Sequence, residues 1–200
     1  MTSRTASPRL THRFVEAMQY AADKHRTQTR KASDVPYLGH LLSVAGLVIE
    51  ADGTESEAIA ALLHDAAEDQ GGQETLAEIR EKFGAEVAAI VAECSDTFET
   101  PKPPWRQRKE DYIRRLPEAS DGAILVSLAD KLDNARAILR DFRAHGNDLW
   151  QRFNVQDPQL HLWYYRSLLE VYADRTSNWM VDELRGVIDA LEQAIGRPPA

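Results

Sequence analysis

Apolar residues recur at intervals of three and four along almost the whole chain, and no segment sustains the alternation of a β-strand. Capping signals bound several of the apolar stripes, such as Thr54 followed by Glu57, and Gly146 after the longest stripe. The predicted helices cover residues 14–24, a stretch that starts after Pro36, and residues 54–69, 75–84, 85–95, 105–116, 120–145, 158 onward and 176–195. This periodicity predicts an all-α protein.

The length of 200 residues suits one domain whose core is large enough to be stable without disulfides. No repeat or long low-complexity stretch appears, and the proline-rich segment TFETPKPPW at 97–105 is predicted to be a loop. The polar stretches at 1–10 and 196–200 are expected to be frayed. We therefore predict a single-domain helical bundle over residues 1–200.

Composition narrows the function classes. The formal net charge of -8 argues against a general nucleic-acid binder, although a local basic patch or a metal could still bind a small anion. Cys94 is the single cysteine, which excludes an internal disulfide framework and suits a reducing compartment. No apolar run approaches the roughly 20 residues of a membrane span, and the N-terminus lacks a signal-peptide core. The expected location is cytoplasmic, with no membrane partner.

The segment ALLHDAAED at 61–69 is the most informative in the chain. If it is helical, His64 and Glu68 lie one turn apart on one stripe, and Asp65 and Asp69 on the next. Three carboxylates at one end of a buried helix repel one another unless a cation or a proton intervenes. The segment therefore predicts a divalent-metal site, and imidazole with carboxylate favours Mn, Fe or Zn over Mg or Ca.

Two further segments carry candidate ligands. His40 follows PYLG at the start of the second predicted helix, and Asp130 interrupts an apolar face one turn before Asn134. Taken alone, His40 could bond to backbone at a helix start, and Asp130 could pair with Lys131 or Arg136. The joint pattern of these segments with residues 61–69 favours metal binding, because chance assembly of all of them in this order is improbable.

Taken together, these segments make the chain resemble the HD superfamily, and within it the RelA/SpoT-type alarmone hydrolase domain in its free-standing small form. The resemblance spans about residues 13–175. It rests on the segments HRTQTRK (25–31), PYLGH (36–40), LLHDAAED (62–69) and LADKLDNAR (128–136). These blocks in this order and spacing are more specific than a histidine–aspartate pair alone.

The resemblance implies a fold, a metal and a reaction. It implies an HD-type bundle that holds Mn²⁺ through residues matching His40, His64, Asp65 and Asp130. The implied reaction is hydrolysis of the 3′-pyrophosphate of the small-molecule nucleotide (p)ppGpp, which gives GDP or GTP and pyrophosphate. Two carboxylates, Glu68 and Asp69, are implied to act on the attacking water. Three residues are implied to bind the substrate: Arg30 and Lys31 along the base, and Asn134 near the ribose.

Other residues have two interpretations. Arg106, Arg108 and Lys109 correspond in general location to basic residues that meet the pyrophosphate, and a solvated helix face is the alternative. The aromatic run at 163–165 is interpreted as core rather than as a substrate wall. The remaining histidines are interpreted as surface or capping residues rather than ligands: His12, His25, His145 and His161. Gly39 and Leu41 depart from the family's usual neighbours of the first metal histidine.

Three alternatives stay open from the sequence. An HD hydrolase could act on another phosphorylated nucleotide, such as an adenosine alarmone or NADPH. A nucleotide-sensing module could keep the fold without turnover, although the Glu68–Asp69 pair argues against this. A purely structural helical protein would need its buried acids paired without metal. The sequence leaves a homo-oligomer and a partner synthetase open.

Overall fold

The computed structural model describes residues 10–31, 34–99 and 101–196, and within these residues every regular element is helical. The α-helices are α1 (His12–Lys24), α2 (Leu38–Glu50), α3 (Glu55–Leu63), α4 (Ala66–Asp69), α5 (Gly72–Phe83), α6 (Ala85–Cys94), α7 (Trp105–Arg115), α8 (Asp121–His145), α9 (Pro158–Arg175) and α10 (Met180–Ile195). Short 3-10 helices cover Leu116–Glu118 and Gly146–Arg152. The all-α prediction is confirmed. The frayed ends that were predicted fall mainly on residues 1–9 and 197–200, which lie outside the described residues.

Helix α8 is the central element, because α2, α3, α6, α9 and α10 all pack against it. Its inward face includes Leu128, Ala129 and Leu132, each fully buried. Helices α2 and α3 pack against each other as well as against α8. The packing of α2, α3 and α8 brings together the three segments that carry the candidate metal ligands.

Several predicted helix ends are confirmed by their capping contacts. Thr54 and Glu57 form a reciprocal capping box at the start of α3. Pro158 is the first residue of α9, and the side chain of Asp157 caps that helix. Gly146 ends α8 with a φ of 57°, a conformation that glycine adopts without strain. At these positions, local sequence decides where a helix begins or ends.

Other predicted boundaries are wrong. The predicted helix over 54–69 is interrupted at His64 and Asp65, so that α3 and α4 are separate. Helix α5 begins at Gly72 instead of Thr75, because the Thr75 hydroxyl donates to the carbonyl oxygen of Gln70 instead of capping a helix. Helix α10 begins at Met180 instead of residue 176, since Thr176 is extended and ends α9.

None of the described helices is long and apolar enough to cross a membrane. The single-domain organisation over residues 1–200 stays a prediction.

Candidate metal centre and active site

Three parts of the fold supply the predicted metal ligands. His40 lies in the first turn of α2, His64 and Asp65 lie at the break between α3 and α4, and Asp130 lies in the middle of α8. His40, His64 and Asp130 are buried, with at most 5% of each residue exposed. The structure therefore brings together the four side chains that the sequence predicts as ligands.

The ligand atoms converge on one point. His40, His64 and Asp65 each offer an atom, and these atoms lie within 4.8 Å of one another. The Oδ1 atom of Asp130 lies 3.2 Å from Nε2 of His40 and 3.5 Å from Nε2 of His64, and Oδ2 of Asp65 lies 3.1 Å from Nε2 of His64. Ligands bound about 2.1 Å from one ion lie roughly 3.0–3.4 Å apart. Nε2 of His40 lies 3.9 Å from Oδ2 of Asp65, which is longer than this range, and the other three separations suit a shared metal ion.

The hydrogen bonds of Nδ1 in each ligand histidine show that Nε2 is the atom that faces the site. Nδ1 of His64 lies 2.8 Å from the carbonyl oxygen of Ala61, and Nδ1 of His40 lies 2.7 Å from a carboxylate oxygen of Asp133. Both partners accept hydrogen bonds, so Nδ1 carries the proton and donates. The Nε2 atoms are buried and form no hydrogen bond. Two orphaned imidazole nitrogens beside two aspartates fit a divalent transition metal.

The charges within the cluster shift the pKa values of its histidines and aspartates. Burial lowers the pKa of His64, but the adjacent Asp65 and Asp130 outweigh burial and hold that pKa well above its usual range. Burial likewise opposes ionisation of Asp130, yet Lys131 and the two histidines hold its pKa well below the usual range. Without a metal, the carboxylates thus favour protonation of the imidazoles, and a divalent cation can replace those protons.

Four side chains that surround the ligands hold them in place. Tyr37 donates a hydrogen bond to Oδ2 of Asp65, and Asp133 accepts one from His40. Lys131 donates to Oδ2 of Asp130, and Asn134 donates to Oδ1 of the same carboxylate. The ion pair of Asp130 with Lys131, weighed from the sequence as an alternative to metal binding, therefore coexists with an Oδ1 that faces the histidines.

Sequence reasoning missed Tyr37 and Asp133. Each lies three residues from a predicted ligand, Tyr37 before His40 and Asp133 after Asp130. Residues three apart on a helix share a face, so this spacing was a usable signal for Asp133.

Glu68 and Asp69 lie in α4, directly after Asp65. The carboxylate of Glu68 accepts hydrogen bonds from the backbone N–H of Asp96 and from Lys102, both at 2.8 Å. Asp69 accepts a hydrogen bond of 2.9 Å from the side-chain amide of Gln28. Partners outside the ligand cluster therefore restrain both carboxylates.

Arg30 and Asn134 also meet at this site. Backbone hydrogen bonds from Arg30 to Val35 and from Tyr37 to Gln28, both 2.9 Å, close the connection between α1 and α2. The guanidinium of Arg30 then donates to Asp133 at 2.9 Å and to the side-chain oxygen of Asn134 at 3.1 Å. Lys31 is exposed at the next position.

The basic residues of α7 divide into two groups. Arg106 has a side chain that is 60% exposed and pairs with Glu110, which agrees with a solvated helix face. Arg108 and Lys109 are mostly buried and both pair with Asp96, whose backbone N–H binds Glu68. The solvated-face alternative is therefore wrong for Arg108 and Lys109.

The aromatic run and two of the four remaining histidines lie largely in the core, whereas His12 and His145 are exposed, as predicted. Tyr164 and Tyr165 are buried, and the ammonium of Lys109 lies 4.8 Å from the ring centre of Tyr164. His25 ends α1 as predicted for a capping residue, but it is buried and not on the surface. His161 is also buried, with Nε2 2.8 Å from the carbonyl oxygen of Val155.

Comparisons with known proteins agree with this arrangement. The family model described as HD domain matches residues 17–157. The guanosine-3′,5′-bis(diphosphate) 3′-pyrophosphohydrolase MESH1 of Homo sapiens is 38% identical over 147 residues, which cover 72% of this chain and 77% of that protein. The protein of the same name from Drosophila melanogaster is 39% identical over 183 residues, which cover 90% and 89% of the two chains.

A solved structure extends the likeness to the fold. It is described as a metazoan ortholog of SpoT that hydrolyzes ppGpp and plays a role in starvation responses. It superposes with a TM-score of 0.73 at 27% sequence identity, and the match covers 98% of this chain and 99% of that one. The chain therefore belongs to the HD domain family and is a relative of its guanosine-3′,5′-bis(diphosphate) 3′-pyrophosphohydrolases.

Proposed function

We propose that this protein hydrolyses the 3′-pyrophosphate of (p)ppGpp, with Mn²⁺ held by His40, His64, Asp65 and Asp130. The observation that carries the proposal is the pair of buried, unbonded Nε2 atoms facing two aspartates. Relatives that bear the name of this activity align with most of the chain. The products are GDP or GTP and pyrophosphate.

A bound divalent cation would lower the pKa of a water molecule and offset the phosphate charge. The protein's own residues fix the ligands for this task. Tyr37 restrains Asp65, while Lys131 and Asn134 restrain Asp130. Such outer contacts orient metal ligands before the ion arrives.

Glu68 and Asp69 are the proposed groups that act on the attacking water. A carboxylate positioned next to the metal ligands can accept the proton that water loses. The contacts of Glu68 with Asp96 and Lys102 restrain its carboxylate. Asp69 would orient the water from the same short helix.

The positively charged side chains around the site are the main candidates for contacts with the substrate. Arg30 and Lys31 would lie along the purine, because a guanidinium plane can stack on a base, and Asn134 would lie near the ribose. Arg108 and Lys109 offer positive charge beside Glu68 through their shared partner Asp96. Local positive charge of this kind can bind an anion despite the net charge of -8. We place the reaction in the cytoplasm, where a free Cys94 stays reduced.

The test is incubation of the purified protein with Mn²⁺ and ppGpp, followed by ion-exchange chromatography for GDP and pyrophosphate. Equal amounts of both products from the wild type, and none from Asp65→Ala, are expected. Parallel reactions with pppApp and NADPH test whether the protein hydrolyses a different nucleotide. Bound Mn²⁺ without turnover of any of the three nucleotides would contradict the proposal and favour a sensing module.

A further inference from the structure

Asp133 joins two parts of the site through one oxygen atom. Its Oδ2 lies 2.7 Å from Nδ1 of His40 and 2.9 Å from a terminal nitrogen of Arg30. The side chain is 19% exposed, as is that of Arg30. Asp133 is therefore a largely buried carboxylate between a candidate metal ligand and a candidate nucleotide-binding cation.

The contact with His40 bears on metal binding. A carboxylate that accepts a hydrogen bond from Nδ1–H fixes the ring orientation and makes Nε2 a better ligand. His64 has a neutral partner in the same role, the carbonyl oxygen of Ala61. Asp133 thus gives His40 the only charged acceptor that the described residues place on Nδ1 of either ligand histidine.

The contact with Arg30 bears on nucleotide binding. Arg30 comes from the connection between α1 and α2, and its guanidinium reaches α8 through Asp133 and Asn134. Asn134 in turn donates to Oδ1 of Asp130. Ordering a free arginine side chain opposes binding, so an anchor that orders it beforehand favours binding.

We propose that Asp133 is a positioning residue that orients His40 for the metal and holds Arg30 for the nucleotide. One carboxylate then sets the affinity for both. The role toward Arg30 rests on the proposed function, whereas the role toward His40 needs no nucleotide.

The first test measures Mn²⁺ binding to the metal-free protein by titration calorimetry. Asp133→Ala should weaken the Mn²⁺ Kd by about 10- to 100-fold, the range for loss of an outer partner of a metal ligand. Asp133→Asn keeps an acceptor without the charge and should weaken binding less. The matched control is Asp141→Ala, which removes an aspartate of α8 that pairs with Arg140 and should leave the Kd unchanged.

An unchanged Mn²⁺ Kd in Asp133→Ala, or an equal loss in Asp141→Ala, would overturn the role toward His40. If Asp133→Ala fails to fold, Asp133→Asn decides: a Kd equal to that of the wild type would overturn it. Failure of ppGpp hydrolysis by the Mn²⁺-loaded wild type would contradict the proposed function and leave this comparison intact.

The second test measures GDP binding at saturating Mn²⁺, since GDP carries the base and ribose but is not the substrate. Asp133→Ala should weaken the GDP Kd several-fold, and should have no further effect in an Arg30→Ala background. An equal loss in both backgrounds, or no binding of GDP by the wild type, would overturn the role toward Arg30.

Discussion

At the scale of single residues, the buried centre combines two histidines with two aspartates whose charges must be balanced. Without metal, the carboxylates raise the pKa of His40 and His64 even though burial opposes this. With metal, the imidazoles must be neutral to bind it. Protons and metal therefore compete for the same Nε2 atoms.

This competition predicts how the stability of the metal-free protein depends on pH. A histidine with a raised folded-state pKa contributes stability that is full below about pH 6.5 and is lost as pH rises through the folded-state value. The melting temperature measured in chelator should therefore fall as pH rises from about 6.5. Burial lowers the pKa of His25 and His161, so their titration changes the stability only below about pH 6.5.

The control for the pH experiment is His64→Gln, whose melting temperature should depend less steeply on pH over the same range. A melting temperature that stays level or rises in the metal-free wild type would contradict the assignment of raised pKa values to the two histidines.

Glu68→Gln should separate chemistry from metal binding. Because Glu68 lies outside the ligand cluster, the variant should keep the Mn²⁺ Kd of the wild type. Loss of a general base should lower kcat by roughly 10²- to 10⁴-fold. Calorimetry and the ppGpp assay measure the two quantities separately. A variant with near wild-type kcat would show that Glu68 is not the base.

At the scale of elements, the turn between α2 and α3 depends on a glycine. A Cβ atom on Gly53 would lie 2.6 Å from Cγ1 and 2.8 Å from the carbonyl oxygen of Val48, whereas one on Gly46 within α2 meets nothing within 4 Å. Gly53→Ala should thus destabilise the protein by about 1–3 kcal/mol, and Gly46→Ala should stabilise it by about 0.5–1 kcal/mol. Chemical denaturation measures both, and changes of the same sign would contradict the packing described.

The elements also show what the sequence could and could not predict. Periodicity and capping residues located most helices, and the family blocks identified all four candidate ligands. The break at His64 and Asp65 was not predicted, because the surrounding residues favour a continuous helix and both residues keep helical backbone angles. The spacing of Asp133 from Asp130 predicts only that both lie on one face of α8, whereas the role of Asp133 depends on contacts with His40 and Arg30, which are distant in sequence.

At the scale of the whole molecule, one ion would connect α2, the α3–α4 break and α8, which hold much of the core. A ligand that binds only the folded state stabilises it by about 2.7 kcal/mol at 100 times its Kd. For a chain of this size that corresponds to a rise in melting temperature of about 5–10 °C. Thermal unfolding with chelator and with Mn²⁺ should show this rise in the wild type and not in His64→Ala. An equal rise in both proteins would place Mn²⁺ elsewhere, because the variant lacks one of the two imidazoles that face the aspartates.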